Sequence, residues 1–330
     1  INYVQALSSK PDHVHRLLWS NPLLNRAFYA DYFPGSTVKP LIALSALQNG
    51  VYQDKDIIEC DGRYCLNESC NARIRCHGVH GPVDLYSAIE QSCNPYFVHA
   101  GLKLGGDKLH DLYKSVGIGR FPLDFANSRY NQGSLPIGHS EPKKPWYPGD
   151  SGYISIGQGK ISASPLQVAL YTAGIANKGT IMQPQILKEV RHSLSAEVLE
   201  ERKPLAMSHM DIDQEHFKKV HEAMYQVVYG DNASARKAQP ETIEIAGKTG
   251  TAQRYYYVNL RDSQGKILKD SKGKNKTKRQ KLLYTWFTSF APYNDPEYVL
   301  TIMIEEGQSG GSTCAPLAKK FYNEFFGASE

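Results

Sequence analysis

Ser36 and Lys39 stand three residues apart in Ser36-Thr37-Val38-Lys39, a spacing that puts both on one face of a helix. A serine hydroxyl attacks carbonyls only when a base takes its proton, and a lysine held neutral can serve as that base. One S-x-x-K is commonplace in a chain of 330 residues. Here Ser92-Cys93-Asn94 and Lys248-Thr249-Gly250 follow it, and the order S-x-x-K, S-x-N, K-T-G supplies each component of a serine acyl-transfer site.

Each component has a physical reason. The free N–H groups at a helix start favour negative charge at Ser36 and disfavour a proton on Lys39. Ser92 is placed to shuttle a proton to a leaving amine, and Asn94 to hold a substrate amide. Lys248 adds positive charge for a carboxylate and lowers proton affinity at Lys39. Thr249 bonds that carboxylate, and Gly250 lets a substrate backbone lie close. The backbone N–H groups of Thr251 and Ser36 form an oxyanion hole. Plainer readings exist for each motif: a capped helix with a solvated lysine, an Asn94 N-cap before Pro95, and a strand ending in a tight turn.

The elements that must position these groups are legible in outline. Pro34-Gly35 is a turn signal feeding an apolar helix over residues 36–49, which Asn49-Gly50 ends. Further helices are expected at 165–176, 216–229 and 315–326. Strands are expected at 182–191, 241–254, 283–291 and 297–306. Residues 1–33 read as a lead-in segment, residues 51–150 as a mostly helical insertion, and residues 254–283 as a long basic loop. The whole is expected to be one domain, 1–330, of α/β (α+β) type: an antiparallel sheet flanked by helices, plus a mostly helical subdomain.

The net charge of +5 is local in origin. Arg261 to Lys281 holds nine Lys or Arg against two Asp, a net +7, so the rest of the chain carries about −2. This segment reads as a solvated hairpin tip, or as one attracted to anionic lipid headgroups or glycan polymers. It lacks the interleaved aromatics and the fold signature of a nucleic-acid binder. No run of about 18 apolar residues is present, so no transmembrane helix is expected. The chain opens on Ile1 without a signal-like segment and reads as a piece of a longer protein.

The three motifs resemble the transpeptidase domain of the penicillin-binding proteins, a serine transpeptidase/β-lactamase-like fold. The closer similarity is to the class B, elongation-type group known as penicillin-binding protein 2. It is carried by Pro22–Ala27, Phe33–Pro40, Lys144–Asp150, Ser155–Gly159, Thr285–Pro292, Gly310–Ser312 and Ala315-Pro316. It runs from about residue 20 to the C-terminus, whereas Ile1 to Ser20 does not match the family's usual lead-in strand.

The resemblance implies a peptidoglycan DD-transpeptidase acting in cell elongation. Ser36 would attack the penultimate D-Ala carbonyl of a stem peptide, D-Ala would leave, and an amine of a neighbouring stem would resolve the acyl-enzyme. β-Lactam antibiotics would acylate the same serine. The resemblance further implies an N-terminal membrane anchor and pedestal domain, placement of the catalytic domain in the periplasm at the bacterial inner membrane, and glycosyltransferase and other elongation-complex partners. The acyl transfer itself needs no cofactor.

Five of six cysteines fall between residues 60 and 93. In an oxidising periplasm such clusters form disulfides, but four S and N ligands also suit zinc, and free thiols are the third reading. One arrangement joins Cys60, Cys76, His80 and Cys93 as a structural zinc site that pins the S-x-N corner. Some elongation-type members hold a metal there with mixed Asp, His and Cys ligands, so the match is loose. Cys65 and Cys70 are then left to pair as a small disulfide.

Two other functions share parts of this pattern. A serine β-lactamase has Ser36, Lys39 and Lys248 but needs an added base for deacylation, and no Glu-x-x-x-Asn sits at a convincing place. A non-catalytic penicillin-binding sensor would not require the intact set.

Overall fold

The computed structural model describes residues 24–120, 133–135 and 146–327. Most of the lead-in segment and residues 144–145 of one resemblance stretch lie outside the described residues. In chain order the helices are α1 (Arg26–Tyr29), α2 (Lys39–Gln48), α3 (Leu85–Glu90), α4 (Asn94–Ser115), α5 (Pro148–Ile154), α6 (Pro165–Ala176), α7 (Gln214–Tyr229) and α8 (Ala315–Gly327). The strands are β1 (Ile58–Cys60), β2 (Arg63–Cys65), β3 (Arg73–Arg75), β4 (Gly81–Val83), β5 (Thr180–Met182), β6 (Glu189–Arg191), β7 (Val198–Glu201), β8 (Ala206–His209), β9 (Ala246–Asn259), β10 (Thr277–Ala291) and β11 (Tyr298–Glu305).

The central sheet is antiparallel with order β11-β10-β9. Successive side chains of a strand point to opposite faces, and β10 uses both. Thr288 Oγ1 meets Thr172 Oγ1 of α6 at 2.8 Å, while Ser289 Oγ meets Tyr322 OH of α8 at 3.0 Å. The sheet is therefore covered by α6 on one face and α8 on the other. The sequence of α2 is apolar on every side, as a helix surrounded by protein requires, and Lys39 through Leu47 are all buried. It packs against α4 and α7, and α7 in turn packs against β9. The Ala291–Pro292 peptide is cis.

Several expectations need correction. The insertion at 51–150 is not helical throughout: residues 58–83 form two small antiparallel pairs, β1 with β4 and β2 with β3. The strand expected at 182–191 is two separate strands that pair with β8 and β7, because Gln183-Pro184-Gln185 interrupts the ladder. The long basic loop is paired at its base, where residues 254–259 and 277–282 form a two-stranded ribbon, with Tyr255 opposite Lys281 and Asn259 opposite Thr277. The β-favouring run Tyr255-Tyr256-Tyr257-Val258 holds the pairing, and the Arg279 guanidinium lies 3.7 Å over the Tyr255 ring. Residues 260–276, more than half of the expected loop, form the tip.

Candidate active site

Ser36 lies in a single 3₁₀ turn, Gly35–Val38, that runs directly into α2. Lys39 is thus the first residue of the α-helix, one turn beyond the serine. Its ammonium is wholly buried, and its Nζ donates to Ser92 O at 2.7 Å, Ser92 Oγ at 3.2 Å and Asn94 Oδ1 at 2.7 Å. Burial lowers its pKa from 10.5 to about 8, against the raising influence of the nearby thiols Cys76, Cys93 and Cys60. Desolvation, rather than the helix dipole or Lys248, is the leading cause.

Ser92 and Asn94 sit at the corner between α3 and α4. Ser92 adopts a left-handed φ of 58°, unusual for a non-glycine residue and a form of strain that concentrates at functional sites. The N-cap of α4 is Cys93, one residue before the Asn94 expected from sequence. Asn94 is consequently free to use its side chain elsewhere: Oδ1 accepts from Lys39, and Nδ2 donates to Arg75 O at 2.8 Å.

The third motif lies on β9, the outer strand of the central sheet. Gly250 is opposite Trp286, and Thr251 opposite Thr285. Gly250 has no room for a side chain: a Cβ there would lie 2.8 Å from Thr37 Cγ2 and 3.0 Å from Pro34 O. Thr249 Oγ1 is 3.3 Å from Ser234 Oγ, which in turn donates to Glu90 O at 2.6 Å. Lys248 does not reach the cleft as expected. It is completely buried, donates to Thr249 O at 3.2 Å, and has its proton affinity driven well down by desolvation and then by Lys39.

These pieces meet in a cleft of about 820 Å³, lined by Ser36, Ser92, Asn94, Thr249, Gly250 and Thr251 among others. The geometry brings a serine hydroxyl, the partners of an amine with lowered proton affinity, and a strand edge left unpaired among the described residues into one space. Such an edge can pair with an extended peptide backbone. The Gly157-Gln158-Gly159 loop braces the serine turn, with Gly35 N donating to Gly157 O at 2.9 Å. Sequence reasoning missed Ser234, Arg73, Arg75, Tyr153 and Gln253, which also line the cleft. The alternation Arg73-Ile74-Arg75 was the available signal for two of them, since it puts both arginines on one strand face.

Behind this corner Cys60, Cys76, His80 and Cys93 gather, with their ligand atoms all within 4.8 Å of one another. Cys60 Sγ is 3.4 Å and Cys76 Sγ 3.6 Å from His80 Nδ1. Cys76 also accepts from Asn94 N at 3.2 Å. Hydrogen bonds from Cys93, His77 and the Asn94 N–H hold the Cys76 thiol well below its ordinary pKa, so a thiolate is favoured there. Three sulfurs and one ring nitrogen at this spacing fit a tetrahedral zinc. Cys65 and Cys70 form a disulfide, and Cys314 is buried elsewhere, donating to Thr285 O at 3.3 Å.

A serine and a buried lysine beside a sheet edge, on this mixed helix-and-sheet scaffold, define a serine acyl-transfer architecture. Residues 2–323 match the penicillin binding protein transpeptidase domain, and the chain belongs to that family. Similar proteins include the peptidoglycan D,D-transpeptidase MrdA of Haemophilus influenzae, 32% identical over 96% of this chain and 48% of that protein. MrdA of Acinetobacter baumannii is 30% identical over 92% of this chain and 43% of its own length. The chain spans about half the length of these curated relatives. Among solved structures, Pseudomonas aeruginosa PBP2 in complex with WCK 5153 superposes with a TM-score of 0.76 at 30% identity, covering 96% of this chain and 66% of that one. PBP2 of Helicobacter pylori in complex with MreC gives 0.70 at 25% identity, covering 96% and 54%.

Proposed function

We propose that this chain is the catalytic unit of an elongation-type peptidoglycan DD-transpeptidase, with Ser36 as nucleophile. The observation that carries this reading is the buried Lys39 amine, bonded to both Ser92 and Asn94, which line the same cleft as Ser36. Neutral Lys39 takes the Ser36 proton as the hydroxyl attacks the penultimate D-Ala carbonyl of a stem peptide lying along β9. The oxyanion is held by the backbone N–H groups of Ser36 and Thr251. Ser92 passes the proton to the departing D-Ala amine, and an amine of a second stem then takes the acyl group by the reverse route. Asn94 holds a substrate amide, and Thr249, backed by Ser234, binds the terminal carboxylate. Lys248 acts from behind the strand.

A β-lactamase reading is less well supported, because no Asp or Glu is found among the described residues lining the cleft to activate a deacylating water. β-Lactams are instead expected to acylate Ser36 and remain. Intact mass after penicillin treatment, with the adduct mapped by digestion, tests the reading. A single stable adduct on Ser36, absent in Ser36→Ala, supports it, and sustained turnover or no adduct defeats it.

The Cys60, Cys76, His80 and Cys93 set would hold a structural zinc with no open position. The metal would supply rigidity to the S-x-N corner and no step of the acyl transfer. The same reading would put the domain on the periplasmic side of the inner membrane, working with a glycosyltransferase and with a partner of the MreC kind, a protein seen in complex with Helicobacter pylori PBP2. Among the described residues no helix is long and apolar enough to cross a membrane. Residues 1–330 are read as one transpeptidase domain with its insertion at 51–150.

A further inference from the structure

The cleft has a wall that the acyl-transfer motifs leave unused. Arg73 and Arg75 both line it, while no carboxylate does among the described residues. The two arginines flank Ile74 on β3. Ile74 is buried at 3% exposure, so strand alternation turns both arginines to the opposite, open face. Neither guanidinium has an acidic partner among the described residues. The neighbouring strand places a third arginine, Arg63, but that one is paired with Asp61 at 3.5 Å.

This wall is also fixed in place. The Cys65–Cys70 disulfide closes the turn between β2 and β3, and Arg73 Nη1 donates to Cys70 O at 3.1 Å. Arg75 O accepts from Asn94 Nδ2, the same side chain that holds Lys39. The arginine strand is therefore set at a defined distance from the reacting serine. A peptide running along β9 alternates its side chains, and a guanidinium fork matches a carboxylate in both shape and charge.

We propose that Arg73 and Arg75 bind a free side-chain carboxylate of the peptide substrate, making the enzyme selective for an anionic peptide over its amidated counterpart. This rests on the reading of Ser36 as the acylated nucleophile and names the substrate class of that same site. Arg73 and Arg75 are specificity residues and take no part in proton transfer.

The test uses two acetylated peptide thioesters built on a D-Ala acyl group and identical except for one side chain, a carboxylate in the first and its carboxamide in the second. Acylation of Ser36 is followed by intact mass on the purified chain. The unmodified protein is expected to favour the carboxylate peptide by about 10- to 100-fold, the range of hydrogen bonds to a charged group. The preference should shrink as salt is raised. In the R73Q/R75Q variant the ratio should fall toward one, and Arg75→Lys should restore part of it. No preference in the unmodified protein overturns the proposal. So does a preference that survives in R73Q/R75Q, or an equal loss on both peptides, which would mark a merely structural role. Benzylpenicillin separates the two readings. If it fails to acylate Ser36, the nucleophile assignment falls and this inference falls with it. If it acylates but selectivity is absent, only this inference fails.

Discussion

Asn94 accepts a 2.7 Å hydrogen bond from Lys39. Lys39 is fully buried, and its amine is otherwise held by Ser92 O and Oγ and lies 5.4 Å over the Phe97 ring. Asn94 also carries the link outward, since its backbone N–H binds Cys76 and its Nδ2 binds Arg75 O. One residue thus ties Lys39 to the cysteine cluster and to the arginine wall. Asn94→Ala is expected to slow acylation by a fluorescent penicillin by about 10- to 100-fold. Thermal unfolding of the same variant should show a loss of about 1–3 kcal/mol for the buried ammonium left short of a partner. An unaltered acylation rate would remove Asn94 from the site.

The acylation rate should depend on pH through Lys39. Burial lowers its pKa from 10.5 to about 8, and only the neutral amine has a lone pair for the Ser36 proton. The rate is therefore expected to fall about tenfold per pH unit below 8, rise through 8, and level off above it. Stopped-flow penicillin acylation across this range checks the sign. A rate that declines as pH rises through 8 would contradict a base role.

Metal content gives the third expectation. Protein purified without chelator should contain about one zinc per chain, bound by Cys60, Cys76, His80 and Cys93. Removing it, or changing Cys93 to Ser, should lower the melting temperature and slow penicillin acylation together, because Cys93 lies between Ser92 and Asn94. Zinc content far below one per chain, measured by plasma mass spectrometry, would rule the site out.

The brace on the serine turn offers a fourth. Gly157 has a left-handed φ of 69°, and a Cβ there would collide with the backbone of Gly35, the residue before Ser36. Gly157→Ala is expected to cost about 1–3 kcal/mol and to displace Ser36. Its signature is a lower acylation rate even well below the melting point.

The reacting residue types were legible in the chain because their chemistry depends on local spacing. Ser36 and Lys39 need only one helical turn between them, and Lys248 to Thr251 need only an extended strand with a glycine. The apolar runs of α2, α6 and α7 likewise announced themselves, since burial demands a periodic or wholly apolar sequence. The pairing of residues 254–259 with 277–282 was hidden by lysines, whose charge signals solvent without specifying backbone geometry. The cap at Cys93 rather than Asn94 was a one-residue matter, within the usual uncertainty of helix ends.

What the linear order of residues determined was the inventory: a serine, a lysine, an amide and a threonine-bearing strand, together with clustered thiols of open connectivity. What folding decided was their environment. Desolvation of Lys39, withdrawal of Lys248 behind β9, the meeting of Ser36 with Ser92, Asn94 and Thr249, and the placing of the β3 arginines along the same cleft all come from groups far apart along the chain. Dielectric, distance and orientation are properties of neighbours in space, and no spacing along a strand or helix encodes them.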